Sequence, residues 1–129
     1  GLRCGDAILL EVTRRVGATL RQSDVLARFG GAELAVFLPH TDPLGALDAA
    51  ERIRQQVASA PMRWEETHLV VTVSVGVAHV HTGQPSLEAL VHESETALQT
   101  AKDAGRNCVR AAPLLPRSSS GEAAAPARG

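Results

Sequence analysis

The sequence predicts an α/β sandwich in which helices cover a mostly antiparallel sheet. Three observations carry that expectation. Helical and extended segments alternate in the order α-β-β-α-β-α-β, a pattern that favours helices layered on a sheet. A glycine pair, Gly30 and Gly31, separates two short β-type runs. A long β-branched run, "HLVVTVSVGVAHV", occupies residues 68–80 and reads as a central strand. The 129 residues suffice for one core and are too few for two. With 44% apolar but only 2% aromatic residues, that core must be built from Leu, Val, Ile and Ala.

The elements follow in order. Residues 5–22 carry Ile8, Leu9, Val12, Val16 and Leu20 at spacings of three and four, an amphipathic helix with its arginines on the other face. "SDVLARF" and "ELAVFLP" form a hairpin whose glycine pair can take φ > 0 at both positions, and Pro39 closes the second strand. Residues 41–60 read as a helix capped by Thr41 or Asp42, with Pro43 in its first turn and Leu47, Ala50, Ile53 and Val57 as its buried stripe. Trp64 in "MRWEETH" is expected to anchor the loop before the long strand. A third helix spans 86–105, with Ser86 as cap and Gly105 as stop. "NCVRA" supplies a final edge strand. From Pro113 onward the Pro/Ser/Ala/Gly-rich composition predicts a disordered tail, so 1–112 form the domain and 113–129 the tail.

Composition excludes several function classes. A net charge of −1 provides no global basic field for nucleic acid. Lys102 is the only lysine; an arginine bias suits forked contacts to phosphate or a guanine edge, and also follows from genome composition. Cys4 and Cys108 fit no metal or redox spacing and read as thiols in a reducing compartment. His79 and His81 alternate on a strand end and read as surface histidines, with too few partners for zinc. No run approaches the ~20 apolar residues of a membrane span, and no signal peptide is visible. A cytoplasmic location is expected. The chain starts at Gly1 and its only methionine is Met62, so a longer product is expected.

Four segments in register resemble one family. "GLRCGD" is similar to G-H-x-x-G-D, with Leu2 at the histidine position. "RFGGAEL" stands where G-G-[DE]-E-F belongs, "VTVSVGVA" resembles V-T-[VI]-S-[IV]-G-[VI]-A, and "ALQTAKDAGRN" resembles A-L-Y-x-A-K-x-x-G-R-N. The chain thus resembles the GGDEF domain of bacterial second-messenger signalling, the diguanylate cyclase family that condenses two GTP into cyclic di-GMP using Mg²⁺. The match runs from Gly1 to about Arg110. It implies a nucleotidyl-cyclase palm-like fold lacking its first central strand, because the family's upstream strand with a metal-binding aspartate and the following K-x-x-N-D segment have no counterpart in this sequence. Two neighbouring strand edges would then be open.

The resemblance assigns roles residue by residue. Asp6 matches the guanine-contacting aspartate; its plain alternative is a helix cap. Gly30 and Gly31 match the hairpin whose N–H groups meet the GTP phosphates. Glu33 matches the fourth signature position as a residual catalytic carboxylate, with a solvated charge as the alternative. Leu34 replaces the phenylalanine and Gln99 the tyrosine. Lys102 and Arg106 match basic residues that approach the phosphates, or are simply helix C-terminal charges. The third signature position, an acid that ligates Mg²⁺, is here Ala32. A methyl group offers no oxygen to a hard cation, and losing such a ligand is expected to cost on the order of a thousandfold in rate. No metal site and no retained cofactor are therefore expected.

A second site is better preserved. "RQSD" supplies Arg21 and Asp24, with Arg21 nine residues before Gly30, the offset of the family's inhibitory R-x-x-D motif. Arg52 falls where a further arginine joins it. Two guanidinium forks can grip a guanine Hoogsteen edge and phosphates while the carboxylate accepts from guanine N1–H; a surface Arg–Asp pair is the alternative. The sequence therefore favours a catalytically inactive GGDEF domain that binds cyclic di-GMP as a receptor or regulatory module, with GTP weak or unbound. An upstream sensory domain is the expected partner and a homodimer is open. Two alternatives remain: a nucleotide-free dimerisation or docking module, and a fragment of a diguanylate cyclase.

Overall fold

A computed structural model gives the fold, and residues 3–81 and 86–114 are described. Leu2 and the tail beyond residue 114 lie outside the described residues. The elements are α1 (Cys4–Gly17), β1 (Val25–Gly30), β2 (Glu33–Phe37), α2 (Pro43–Ala58), β3 (Met62–Trp64), β4 (Thr67–Leu69), β5 (Val75–Val77), α3 (Leu87–Asp103) and β6 (Val109–Ala111). The mixed helix and sheet architecture is the one the sequence predicts. Packing divides the chain after Val73 into two units.

In the first unit, α1 and α2 turn apolar stripes inward. Val12, Val16, Ile53, Val57 and Met62 form a buried cluster, against which Ile8, Leu20, Leu26, Leu34, Val36, Val71 and Val73 pack. Of the expected α2 stripe, Ala50, Ile53 and Val57 are buried while Leu47 is only half-buried, and Ala46 and Ala49 are buried beside them. Asp42 is its N-cap: the carboxylate accepts from the Gly45 amide at 2.7 Å, and Pro43 occupies the first turn. Helix α1 begins earlier than a cap at Asp6 requires. Its N-cap is Arg3, and Asp6 sits in the first turn, where a carboxylate is favoured by the helix dipole.

One arginine expected on the outer face of α1 is buried instead. Arg15 is only 8% exposed. Its guanidinium donates to the carbonyls of Val57 at 2.8 Å, Ala60 at 2.6 Å and Pro61 at 3.4 Å, and its Nε meets Glu11 at 2.9 Å. The last carbonyls of α2 and its exit have no intrahelical donor, and Arg15 supplies one.

The long strand expected over 68–80 is broken. β4 folds back on β3 as an antiparallel hairpin, pairing Met62 with Leu69, and residues 70–74 join no ladder among the described residues. An extended segment becomes a strand only where a neighbour accepts its hydrogen bonds. The β3–β4 turn is carried by Glu65 at φ 55°, a non-glycine residue in a left-handed conformation. Nothing in "WEET" signals it. Trp64, expected as an anchor, is half-buried and pairs with Thr67 across this hairpin.

In the second unit, β5 and β6 pair in parallel, joined through α3. β6 is the expected edge strand, with a parallel rather than antiparallel neighbour. Ser86 caps α3 by accepting from the Ala89 amide at 3.1 Å. Gly105, at φ 114°, ends it: the Gly105 amide donates to Lys102 and the Arg106 amide to Ala101, a Schellman closure. Among the described residues, two of the three strand pairings are antiparallel.

Candidate functional site

The β1–β2 hairpin is the first candidate. Its register runs from Val25 opposite Phe37 to Arg28 opposite Leu34, then shifts so that Gly30 lies opposite Glu33. The two-residue turn is therefore Gly31 and Ala32, and the glycine pair is not itself the loop. Gly30 alone has positive φ, 132°, because it absorbs the register shift. The Arg28 guanidinium donates to the Gly31 carbonyl at 2.9 Å, tying the tip to β1. Glu33 opens β2 and is half-buried. Ala32 is exposed at the tip.

Beneath the hairpin, α1 and the two strands enclose a cleft of about 430 Å³ lined by Asp6, Leu9, Leu10, Thr13, Leu26 and Arg28, among others. Asp6 is thus brought to an apolar cleft with one acid and one guanidinium in its wall. Leu34, at the signature's phenylalanine position, also lines it. Lys102 and Arg106 belong to the second unit. Lys102 stands in the last turn of α3, and Arg106 follows in a left-handed conformation with φ 63°. Gln99 donates to Asp103 at 2.9 Å. Among the described residues, no three His, Cys, Asp or Glu side chains gather to hold a metal.

The second candidate lies where β1 is entered and α2 begins. The Arg21 backbone amide donates to Asp24 Oδ2 at 2.8 Å, and Arg21 Nη2 donates to Asp24 Oδ1 at 2.9 Å. Asp24 is almost covered, its side chain 3% exposed, whereas that of Arg21 is 54% exposed. The hydrogen bonds from the Arg21 side chain and backbone, with a smaller contribution from the charge of Arg52, hold the Asp24 carboxyl below its ordinary range. Arg52, on α2, is exposed and makes no hydrogen bond or ion pair among the described residues. Arg21 and Asp24 are thus paired directly, while Arg52 reaches Asp24 only through its charge.

The histidine pair differs from expectation. His79 Nδ1 lies 2.9 Å from the Val80 carbonyl, and His81 Nε2 meets Glu93 at 3.1 Å on a partly buried contact. Pairing to α3 was not legible in the alternation of the two histidines. Arg15 and Thr41 are the other residues whose roles the sequence pattern did not disclose.

Helices packed with short sheets and a glycine hairpin are the fold of GGDEF domains. The family model "Diguanylate cyclase, GGDEF domain" matches residues 1–108, and the chain belongs to this family. It is 34% identical over 109 residues to diguanylate cyclase A of Treponema denticola, covering 84% of this chain and 29% of that protein. It is 39% identical over 108 residues to diguanylate cyclase DgcM of Escherichia coli, covering 84% of this chain and 25% of that protein. The chain thus spans between a quarter and a third of these relatives. Among solved structures, diguanylate cyclase SiaD of Pseudomonas aeruginosa, in complex with its activator SiaC, matches with TM-score 0.78 and 34% identity over 83% of this chain and 41% of that one. The coiled coil and GGDEF domain of DgcB from Caulobacter crescentus, in complex with c-di-GMP, matches with TM-score 0.76 and 29% identity, covering 83% and 57%. Among the described residues no helix is long and apolar enough to cross a membrane.

Proposed function

We propose that this chain is a GGDEF domain without cyclase activity that binds cyclic di-GMP at Arg21, Asp24 and Arg52 and acts as a receptor or regulatory module. The observation that carries the reading is the Arg21–Asp24 pair at 2.9 Å, accompanied by Arg52, an exposed guanidinium with no bonded neighbour among the described residues. A free fork beside a half-exposed one suits the Hoogsteen edge of guanine and a phosphodiester together. The DgcB structure that resembles this chain contains c-di-GMP, which supports the same ligand class.

The absence of cyclase activity rests on the hairpin tip. The family chemistry needs Mg²⁺, which would supply charge neutralisation on the transferring phosphoryl group. Ala32 puts a methyl at the tip, leaving Glu33 as the acid of the turn, and this donor set does not fit an octahedral cation that requires several oxygens. The cleft with Asp6 and the cations Lys102 and Arg106 are left as remnants of GTP handling. A cytoplasmic location and an upstream sensory partner belong to the same reading.

Equilibrium dialysis against cyclic di-GMP and, separately, against GTP with Mg²⁺ tests it. Micromolar retention of cyclic di-GMP, with no cyclic di-GMP formed from GTP, is the expected result. Turnover of GTP would restore the cyclase reading. Retention of neither nucleotide by folded chain would favour a docking module.

A further inference from the structure

Arg21 is held from two sides. Asp24 takes one, and the loop between β2 and α2 takes the other. Nη2 donates to the Pro39 carbonyl at 3.0 Å and to Thr41 Oγ1 at 2.8 Å, while the Thr41 hydroxyl itself donates to Pro39 at 3.0 Å. With Asp24 Oδ1 included, Nη2 meets three acceptors with two hydrogens, so its donor capacity is fully taken. Nη1 has no hydrogen bond among the described residues. A planar fork with one edge committed addresses a ligand only through the other.

We infer that Thr41 is a positioning residue of the cyclic di-GMP site: with the Pro39 carbonyl it fixes the Arg21 fork so that Nη1 is the edge presented to the ligand. The inference rests on the functional reading above and adds to it the β2–α2 loop. The loop has the geometry of a held element. His40, between the two residues that Arg21 bridges, has φ 54°, a left-handed conformation unfavourable for a residue with a Cβ. The next residue, Asp42, caps the helix that carries Arg52. One loop thereby holds Arg21 and caps the helix that bears Arg52. A fork already held in place loses less rotamer freedom when it binds than one that must be ordered by the ligand.

Thr41→Val keeps the shape and removes the hydroxyl; Thr41→Ser keeps the hydroxyl. Cyclic di-GMP titrated into the chain should bind about fivefold more weakly to Thr41→Val, the equivalent of one hydrogen bond, and within about twofold of wild type to Thr41→Ser. Equal affinities for wild type and Thr41→Val, or a Thr41→Ser variant as weak as Thr41→Val, would overturn the inference. A second readout needs no ligand. In a ¹⁵N spectrum of the free chain, solvent exchange of the Arg21 side-chain N–H should quicken in Thr41→Val and remain as in wild type in Thr41→Ser. Unchanged exchange in Thr41→Val would overturn the positioning role. Failure of the folded wild type to bind cyclic di-GMP would overturn the receptor reading, and with it any role of Thr41 toward that ligand, while the exchange readout still decides whether Thr41 holds Arg21.

Discussion

Gly76 of β5 lies directly against Leu98 of α3, so close that a Cβ on Gly76 would overlap the Leu98 amide nitrogen and the Ser94 carbonyl oxygen. Helix backbone, not a movable side chain, forms the wall. The glycine of "VTVSVGVA" is therefore a packing requirement of the second unit.

Gly76→Ala should destabilise the chain by about 3 kcal/mol, the upper range for forcing an extra methyl into a closed contact. Urea unfolding checks this through a lowered midpoint. A shift equivalent to less than about 0.5 kcal/mol, the range of inert surface changes, would mean that the helix and strand separate easily.

Arg15 gives a second stability test. Arg15→Met fills the space but leaves the carbonyls of Val57, Ala60 and Pro61 without their donor, at a cost of about 3 kcal/mol. Arg14→Met is the control. Arg14 pairs with the same Glu11, but its side chain is 68% exposed, and its loss should leave the unfolding midpoint nearly unchanged.

Acid should expose the same network. Hydrogen bonds from Arg14, then Arg15, lower the Glu11 carboxyl from the usual 4.5 to about 2. Arg21 likewise holds Asp24 below its ordinary value. A carboxyl depressed in the folded state contributes stability that is present above its unfolded value and lost as pH falls through the folded one. Stability should thus decline from about pH 4.5 toward pH 2, and Glu11→Gln should flatten part of that decline. Thermal melts across this range, with and without the substitution, provide the check.

His40 offers a change in the opposite direction. It is exposed and held at φ 54°, so His40→Gly removes the left-handed penalty and should stabilise by about 0.5–1 kcal/mol. If the β2–α2 loop is as well held as the Arg21 bonds imply, this gain should appear without a loss of cyclic di-GMP affinity. A lowered melting temperature would contradict it.

Periodicity and turn chemistry made the helices and the hairpin readable. Asp42 and Ser86 stand at the N-caps, Pro43 opens α2 and Gly105 follows the C-cap of α3, each the residue type its position demands. Three features were hidden for physical reasons. The β3–β4 turn rests on Glu65 in a conformation that its side chain does not advertise. The burial of Arg15 depends on the carbonyls at the end of α2, 42 to 46 residues away in sequence. The break in the long β-branched run depends on which neighbours are there to pair with it, and strand propensity says nothing of partners.

For the candidate site, spacing named residues but gave no geometry. A nine-residue offset marked Arg21 and Asp24, and the family pattern added Arg52. The commitment of Arg21 Nη2 to Pro39 and Thr41 could not be read from spacing, because it depends on the loop turning through His40.

The most direct measurement is a titration of cyclic di-GMP into ¹⁵N-labelled chain, read at the arginine side chains and backbone amides. Saturable shifts are expected at Arg21, Asp24 and Arg52, lost in Arg52→Ala while the rest of the spectrum stays folded. Shifts confined instead to Asp6, Leu9 and Leu34 around the α1–hairpin cleft, or no shifts at all, would contradict it.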